Sequence, residues 1–245
     1  MQSGGRRSAV RKIVVAGVLG AIITLLGYLG PAGPGFIPVP TPAGHATTLH
    51  VPVIIGGILE GPIVGLVLGL MFGIFSMVQA VMVPSPLTAP FLDPLVAVLP
   101  RLFIGITAWA AYVAFRRTGK YAAMTLAGCL LVICGAFVYW ALPVNVLLAA
   151  TIGMVLLALI AGFVYLALRE NREVQALILS AAVGTLTNTI LVLTMAVVRG
   201  YLPPQAALAA GVLNGIPEVI VACIIVVAVV GIWKGVETRR TGSTV

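Results

Sequence analysis

The sequence predicts an all-α, polytopic membrane bundle, on three observations. Hydrophobic residues make up 61% of the 245 residues and charged residues 8%, against roughly 45–50% and about 25% in soluble domains. The charges are bunched, leaving apolar stretches of about 20 residues, the length a helix needs to cross a hydrocarbon core of about 30 Å. The basic residues fall in short clusters at Arg6–Lys12, Arg116–Lys120, Arg169–Arg172 and Lys234–Arg240, the pattern of cytoplasmic loops under the positive-inside rule. A transmembrane barrel would show alternating strands of about 10 residues, and the sequence has none.

In chain order, the first span is expected over Ile13–Leu29, as a retained helix rather than a cleaved leader. The loop "GPAGPGFIPVPTPAG" carries too much Pro and Gly for a helix. A short second span is expected over His50–Leu59 and a third over Pro62–Met82. After the connector "VPSPLTAPFLDP", the fourth is expected over Leu95–Phe115. Ala122–Leu142 and Leu147–Leu168 read as the fifth and sixth, Gln175–Val198 as the seventh and Ala206–Trp233 as the eighth. Eight spans place both termini in the cytoplasm. They also sort to that side all of the 14 Lys and Arg residues except Arg101 and Arg199. Residues 1–245 then form a single integral membrane domain in the cell membrane.

The net charge of +8 does not point to nucleic acid, because spans interrupt any contiguous basic face. Cys129, Cys134 and Cys223 lie in apolar runs and read as small hydrophobes rather than disulfides or metal ligands. No cluster has metal-ligand spacing, and no segment has room for an ATP-binding domain.

Small residues set two packing surfaces. Gly61, Gly65, Gly69 and Gly73 recur every four residues along one face of the third span, where a missing Cβ lets a neighbouring helix approach closely. On the first span Ala16, Gly17, Gly20 and Ala21 form a flat strip, suited to internal packing or to a separate membrane subunit.

Polar groups at membrane depth are costly and call for a reason. Thr47, Thr48 and His50 open the second span, Arg101 sits in the fourth, Asn188 in the seventh, and Asn214 and Glu218 share a face of the eighth. On the eight-span topology they meet in the outer half of the membrane, as the lining of a pocket. The plainer alternatives are an Arg101–Glu218 pair, an interhelical bond at Asn188 and a helix cap at His50. Glu60 reads as structural, and Asp93, before Pro94, as a helix cap.

Four blocks carry a family resemblance. "ATTLHVPVIIGGILEGPIVGLVLGLMFG", "LPRLFIG", "GTLTNTILVL" and "NGIPEVIVA" resemble, in order, the second and third, fourth, fifth and sixth spans of S components of energy-coupling factor (ECF) transporters. The resemblance implies a non-enzymatic subunit that binds a vitamin or related micronutrient with high affinity. It implies association with a membrane T component and two cytoplasmic ATPases, which use the ATP; no cofactor belongs to this chain. It also implies that Ala16, Gly17, Gly20 and Ala21 dock on the T component, and that the loop from Pro31 to Thr48 closes over substrate. Against the family's six-helix core, residues 122–168 read as an inserted transmembrane hairpin. The "ATTLHVPVIIG" block looks most like pantothenate-type S components; folate and riboflavin remain alternatives. A self-sufficient, proton-coupled secondary carrier for a small organic acid, with Glu218 as its proton site, is the alternative of a different class.

Overall fold

The computed structural model describes residues 3–28, 36–37, 46–85, 88–118 and 172–242, with isolated positions between Val146 and Tyr165. Among the described residues six helices make the bundle: α1 (Ser3–Tyr28), α2 (His50–Glu60), α3 (Pro62–Met82), α4 (Leu99–Thr118), α5 (Arg172–Val198) and α6 (Pro204–Gly242). Between α3 and α4 lie a 3₁₀ turn, Ala89–Leu92, and a single α-turn, Pro94–Ala97. The Pro/Gly-rich loop after α1 contributes two short antiparallel strands, β1 (Phe36–Ile37) and β2 (Ala46–Thr47), with Phe36 opposite Thr47.

The expected eight spans are overturned. Among the described residues five helical segments are long and apolar enough to cross a membrane: Ala9–Tyr28, Pro62–Met82, Pro94–Arg117, Arg172–Val198 and Pro204–Gly235. The second expected span is α2, whose 11 residues rise only about 16 Å at 1.5 Å each, roughly half a hydrocarbon core. Apolar composition had identified the segment, but its length does not suffice. The hairpin expected over 122–168 lies, apart from those isolated positions, outside the described residues. What the structure describes is thus five long helices and one short one, and the six-helix-core-plus-hairpin arithmetic does not stand.

Gly61 ends α2 with φ of 93°, a conformation that side chains with a Cβ resist. Pro62 then starts α3 at the position where a missing N–H costs nothing. Arg11 Nε donates to Glu60 Oε1 at 2.7 Å and ties α1 to this turn. Further along the same end, Tyr112 of α4 donates to Glu173 of α5 at 2.6 Å, and Lys234 of α6 bonds both groups. Arg116 adds a 3.3 Å contact to Glu173.

The opposite end has its own clasp. Asp93 caps the Pro94 turn by accepting from Leu95 N at 3.0 Å, as expected, and its other oxygen accepts from Arg199 Nε at 2.6 Å. The Arg199 guanidinium, with the Leu95 amide, holds the Asp93 carboxyl below its usual range; Asp93 in turn raises Arg199. This pair joins the α3–α4 connector to the α5–α6 turn.

Between the ends, Ile23, Ile54, Leu68, Ile104, Leu177 and Val226 fill the interior. The closest packing is backbone on backbone. A Cβ at Gly65 would stand 2.8 Å from Gly105 Cα, one at Gly69 would stand 2.1 Å from Arg101 O, and one at Gly73 would stand 2.7 Å from Val98 Cα. Three of the four ladder glycines therefore seat α3 against α4 and the turn before it, while Gly61 serves the bend. Thr107 and Thr187 add a hydroxyl contact between α4 and α5 at 2.9 Å.

Candidate functional site

Three of the polar residues singled out from the sequence, Thr47, Thr48 and His50, stand at the start of α2, and Glu218 and Arg101 act on them. β2 leads into that helix through Thr47, whose Oγ1 accepts from Leu49 N at 3.2 Å. The Thr47 amide donates across the bundle to Glu218 Oε1 at 2.7 Å. The other Glu218 oxygen accepts from Thr189 Oγ1 of α5 at 3.4 Å. Glu218 is buried, and it links three parts of the chain: the strand before α2, α5 and α6. Asn214 stands one turn before it on α6 and is half-buried. Thr48 is buried, and His50 is fully enclosed. Among the described residues neither His50 nitrogen has a partner of full hydrogen-bond geometry, although the Thr47 backbone stands near enough to act on the ring as a hydrogen-bonding group and the Arg101 charge acts on it as well.

Arg101 is buried near the start of α4. Its Nη1 donates to the carbonyls of Val96 at 2.8 Å and Ala97 at 2.6 Å, which close the Pro94–Ala97 turn. The guanidinium lies over the rings of Phe72 and Phe91, 4.9 and 5.0 Å from their centroids, contacts that favour a cation. Its charge acts on Glu218 and His50, yet among the described residues Arg101 and Glu218 make no direct ion pair. Among the described residues the Nε–H has no partner.

Asn188, on α5, is buried with its Oδ1 unpartnered, and Thr185, one turn earlier, is fully buried with its Oγ1 unpartnered. Together with His50 and Arg101 this makes five buried polar atoms without a protein partner among the described residues. Such an atom costs about 1–3 kcal/mol, so native interiors rarely carry one without a use. The set offers donors and acceptors both: Arg101 Nε donates, the Asn188 oxygen accepts, and His50 and Thr185 do either.

The sequence showed Thr185 beside Asn188 in "TLTNT", with Thr187 and Thr189, but gave no reason to rank it among the site residues; it lies on the same helix face as Asn188, three residues away. Sequence reasoning missed Phe72 and Phe91. No sequence signal marks those rings, because their value comes from a guanidinium that folding sets over them. The strip on α1 divides. Gly17 and Ala21 face outward, and a Cβ on Gly17 would meet nothing within 4 Å. Gly20 faces Met71 of α3 and Ala16 packs on the core. Among the described residues no group of three or more His, Cys, Asp or Glu side chains is placed to hold a metal.

A family described as "ECF transporter, substrate-specific component" matches residues 11–149 and 125–230. The chain belongs to that family. As a substrate-specific component it is a transport subunit and not an enzyme, and it is a multi-pass, all-helical membrane protein. A search among curated proteins found no match.

Proposed function

We propose that this substrate-specific component is the high-affinity binding subunit of an ATP-driven micronutrient importer. Its pocket is lined by Thr47, Thr48, His50, Arg101, Asn188, Asn214 and Glu218, and its substrate is a small organic acid of the pantothenate type. One observation carries the reading: among the described residues five buried polar atoms on α2, α4 and α5 lack protein partners, in a bundle of a family named for substrate specificity. Arg101 Nε–H is the donor suited to a carboxylate. The T component and two ATPases supply the energy, and the outward-facing Gly17 and Ala21 offer the T component a flat surface on α1. The alternative of a self-sufficient carrier needs Glu218 as a proton site. Its two oxygens instead engage Thr47 and Thr189, which favours an anchoring role.

The test is titration calorimetry of the purified chain with pantothenate, folate and riboflavin, beside copurification with the T component. Arg101→Ala should weaken pantothenate binding by about 2–5 kcal/mol, the range for removing one partner of a buried charge pair. Gly17→Trp and Ala21→Trp should keep binding and lose the complex, since bulk holds helix backbones apart. Unchanged affinity in Arg101→Ala removes the acidic-substrate reading. An unchanged yield of complex from both tryptophan variants removes the docking surface.

A further inference from the structure

Hydroxyls inside membrane helices ordinarily bond the carbonyl one turn back. Ser76 does so to Phe72 O at 3.0 Å, Thr107 to Phe103 O at 3.0 Å, Thr187 to Val183 O at 2.8 Å and Thr189 to Thr185 O at 3.2 Å. Thr185 departs from this pattern. It sits among these residues, fully buried, with its Oγ1 bonded to nothing among the described residues. Asn188 Oδ1, one turn on and on the same face, is unpartnered as well. Just before Thr185, and one turn before Asn188, the helix is pressed inward: a Cβ on Gly184 would stand 2.7 Å from Ile54 Cγ1 of α2 and 3.2 Å from Ala108 Cβ of α4. The two atoms therefore lie inside the bundle and not against lipid.

We infer that Thr185 and Asn188 form a neutral hydrogen-bonding subsite on α5, which takes a hydroxyl or amide group of the ligand apart from the charged group at Arg101. The inference rests on the substrate-binding reading above and narrows it. Thr185 Oγ1 both donates and accepts, whereas a carboxamide oxygen only accepts. A carboxylate supplies no donor to that oxygen. A hydroxyl or secondary amide both donates and accepts, and so serves both side chains whichever way the Asn188 amide is turned. The ligand class is then a small organic acid that carries a hydroxyl or amide some distance from its carboxylate. The carboxylate is left to Arg101 Nε–H, and the neutral group to α5.

Two measurements test this on the full chain in detergent. The first is the melting temperature of the ligand-free protein. Thr185→Val keeps the shape and removes a hydroxyl that has no partner, so stability should hold or rise. Thr187→Val breaks the Thr107 contact and should melt lower. The second is calorimetric titration with pantothenate, folate and riboflavin. Thr185→Val and Asn188→Leu should each weaken binding of whichever compound binds the unaltered protein, by about tenfold, one hydrogen bond's worth. Thr187→Val should bind as before. A Thr185→Val protein that melts as low as Thr187→Val overturns the inference, because the hydroxyl is then structural; unchanged affinity in both Thr185→Val and Asn188→Leu overturns it too. If none of the three compounds binds the unaltered protein, the vitamin reading fails, and the melting comparison alone decides whether the Thr185 hydroxyl is unspent.

Discussion

Gly69→Ala is the substitution whose consequence the geometry states most sharply. The added Cβ would stand 2.1 Å from the carbonyl oxygen of Arg101, 2.9 Å from its carbonyl carbon and 3.2 Å from Leu102 Cα. Non-bonded heavy atoms prefer about 3.5 Å or more, so α3 and α4 must part by about 1 Å. All three obstructing atoms are backbone, and no rotamer change relieves them. Overpacking of this kind costs about 1–3 kcal/mol. Alanine returns up to about 1 kcal/mol through helix propensity, so the net loss of stability lies toward the low end of that range, about 1 kcal/mol. The displaced carbonyl belongs to Arg101, and a site moved by about 1 Å loses its fit, so ligand affinity should fall with the melting temperature. Two other glycines calibrate the effect. Gly17→Ala meets nothing within 4 Å and should melt as high as the unaltered protein or higher. Gly20→Ala meets only the flexible end of Met71 and the tip of Leu68 and should fall between. The assay is the melting temperature of purified protein in detergent, with pantothenate titration beside it. A Gly69→Ala protein that melts with or above Gly17→Ala refutes the claim that backbone contact at this point positions Arg101.

Two further predictions concern the ends of the site. Glu218→Ala removes the acceptor that holds the Thr47 amide, so hydrogen exchange at Thr47 should accelerate by about 10-fold or more, the scale of a hydrogen bond to a charged group. Glu218→Gln keeps an acceptor oxygen and should protect the amide nearly as well; equal exchange in Glu218→Ala and the unaltered chain counts against the anchor. Asp93 has its carboxyl held below the ordinary value of 3.8 by Arg199, so its contribution to stability is complete above that value and lost as pH falls through the lower folded one. Asp93→Asn should therefore melt below the unaltered protein at pH 7, with the gap closing below about pH 4; a gap independent of pH between 3 and 7 rejects the ion pair as its source.

Much of this protein was legible in its sequence because the membrane imposes one-dimensional rules. Hydrocarbon admits long apolar helices and segregates charge, so composition and charge spacing alone gave the helical membrane class. They also located four of the six described helices, α2 to α5, to within a few residues at both ends, while α1 and α6 run further into their basic ends than expected. The Gly65–Gly73 spacing announced a close helix contact, since a missing Cβ acts locally. The polar residues at 47–50, 101, 188, 214 and 218 stood out because each is expensive in lipid wherever its neighbours fall. The span count went wrong at the second run: its shortness was visible, but its apolar composition led it to be counted as a span although 11 residues do not cross the hydrocarbon core. The partners of each polar side chain were beyond reach for another reason. Whether Arg101 faces a carboxylate or spends its Nη1 on Val96 and Ala97, and whether Glu218 lines a pocket or holds β2, depends on distances between segments as far apart as 171 positions in the chain. Only tertiary packing sets those distances. It alone also separated Thr185, whose hydroxyl is unspent, from Thr187 and Thr189, which the sequence presents as equals.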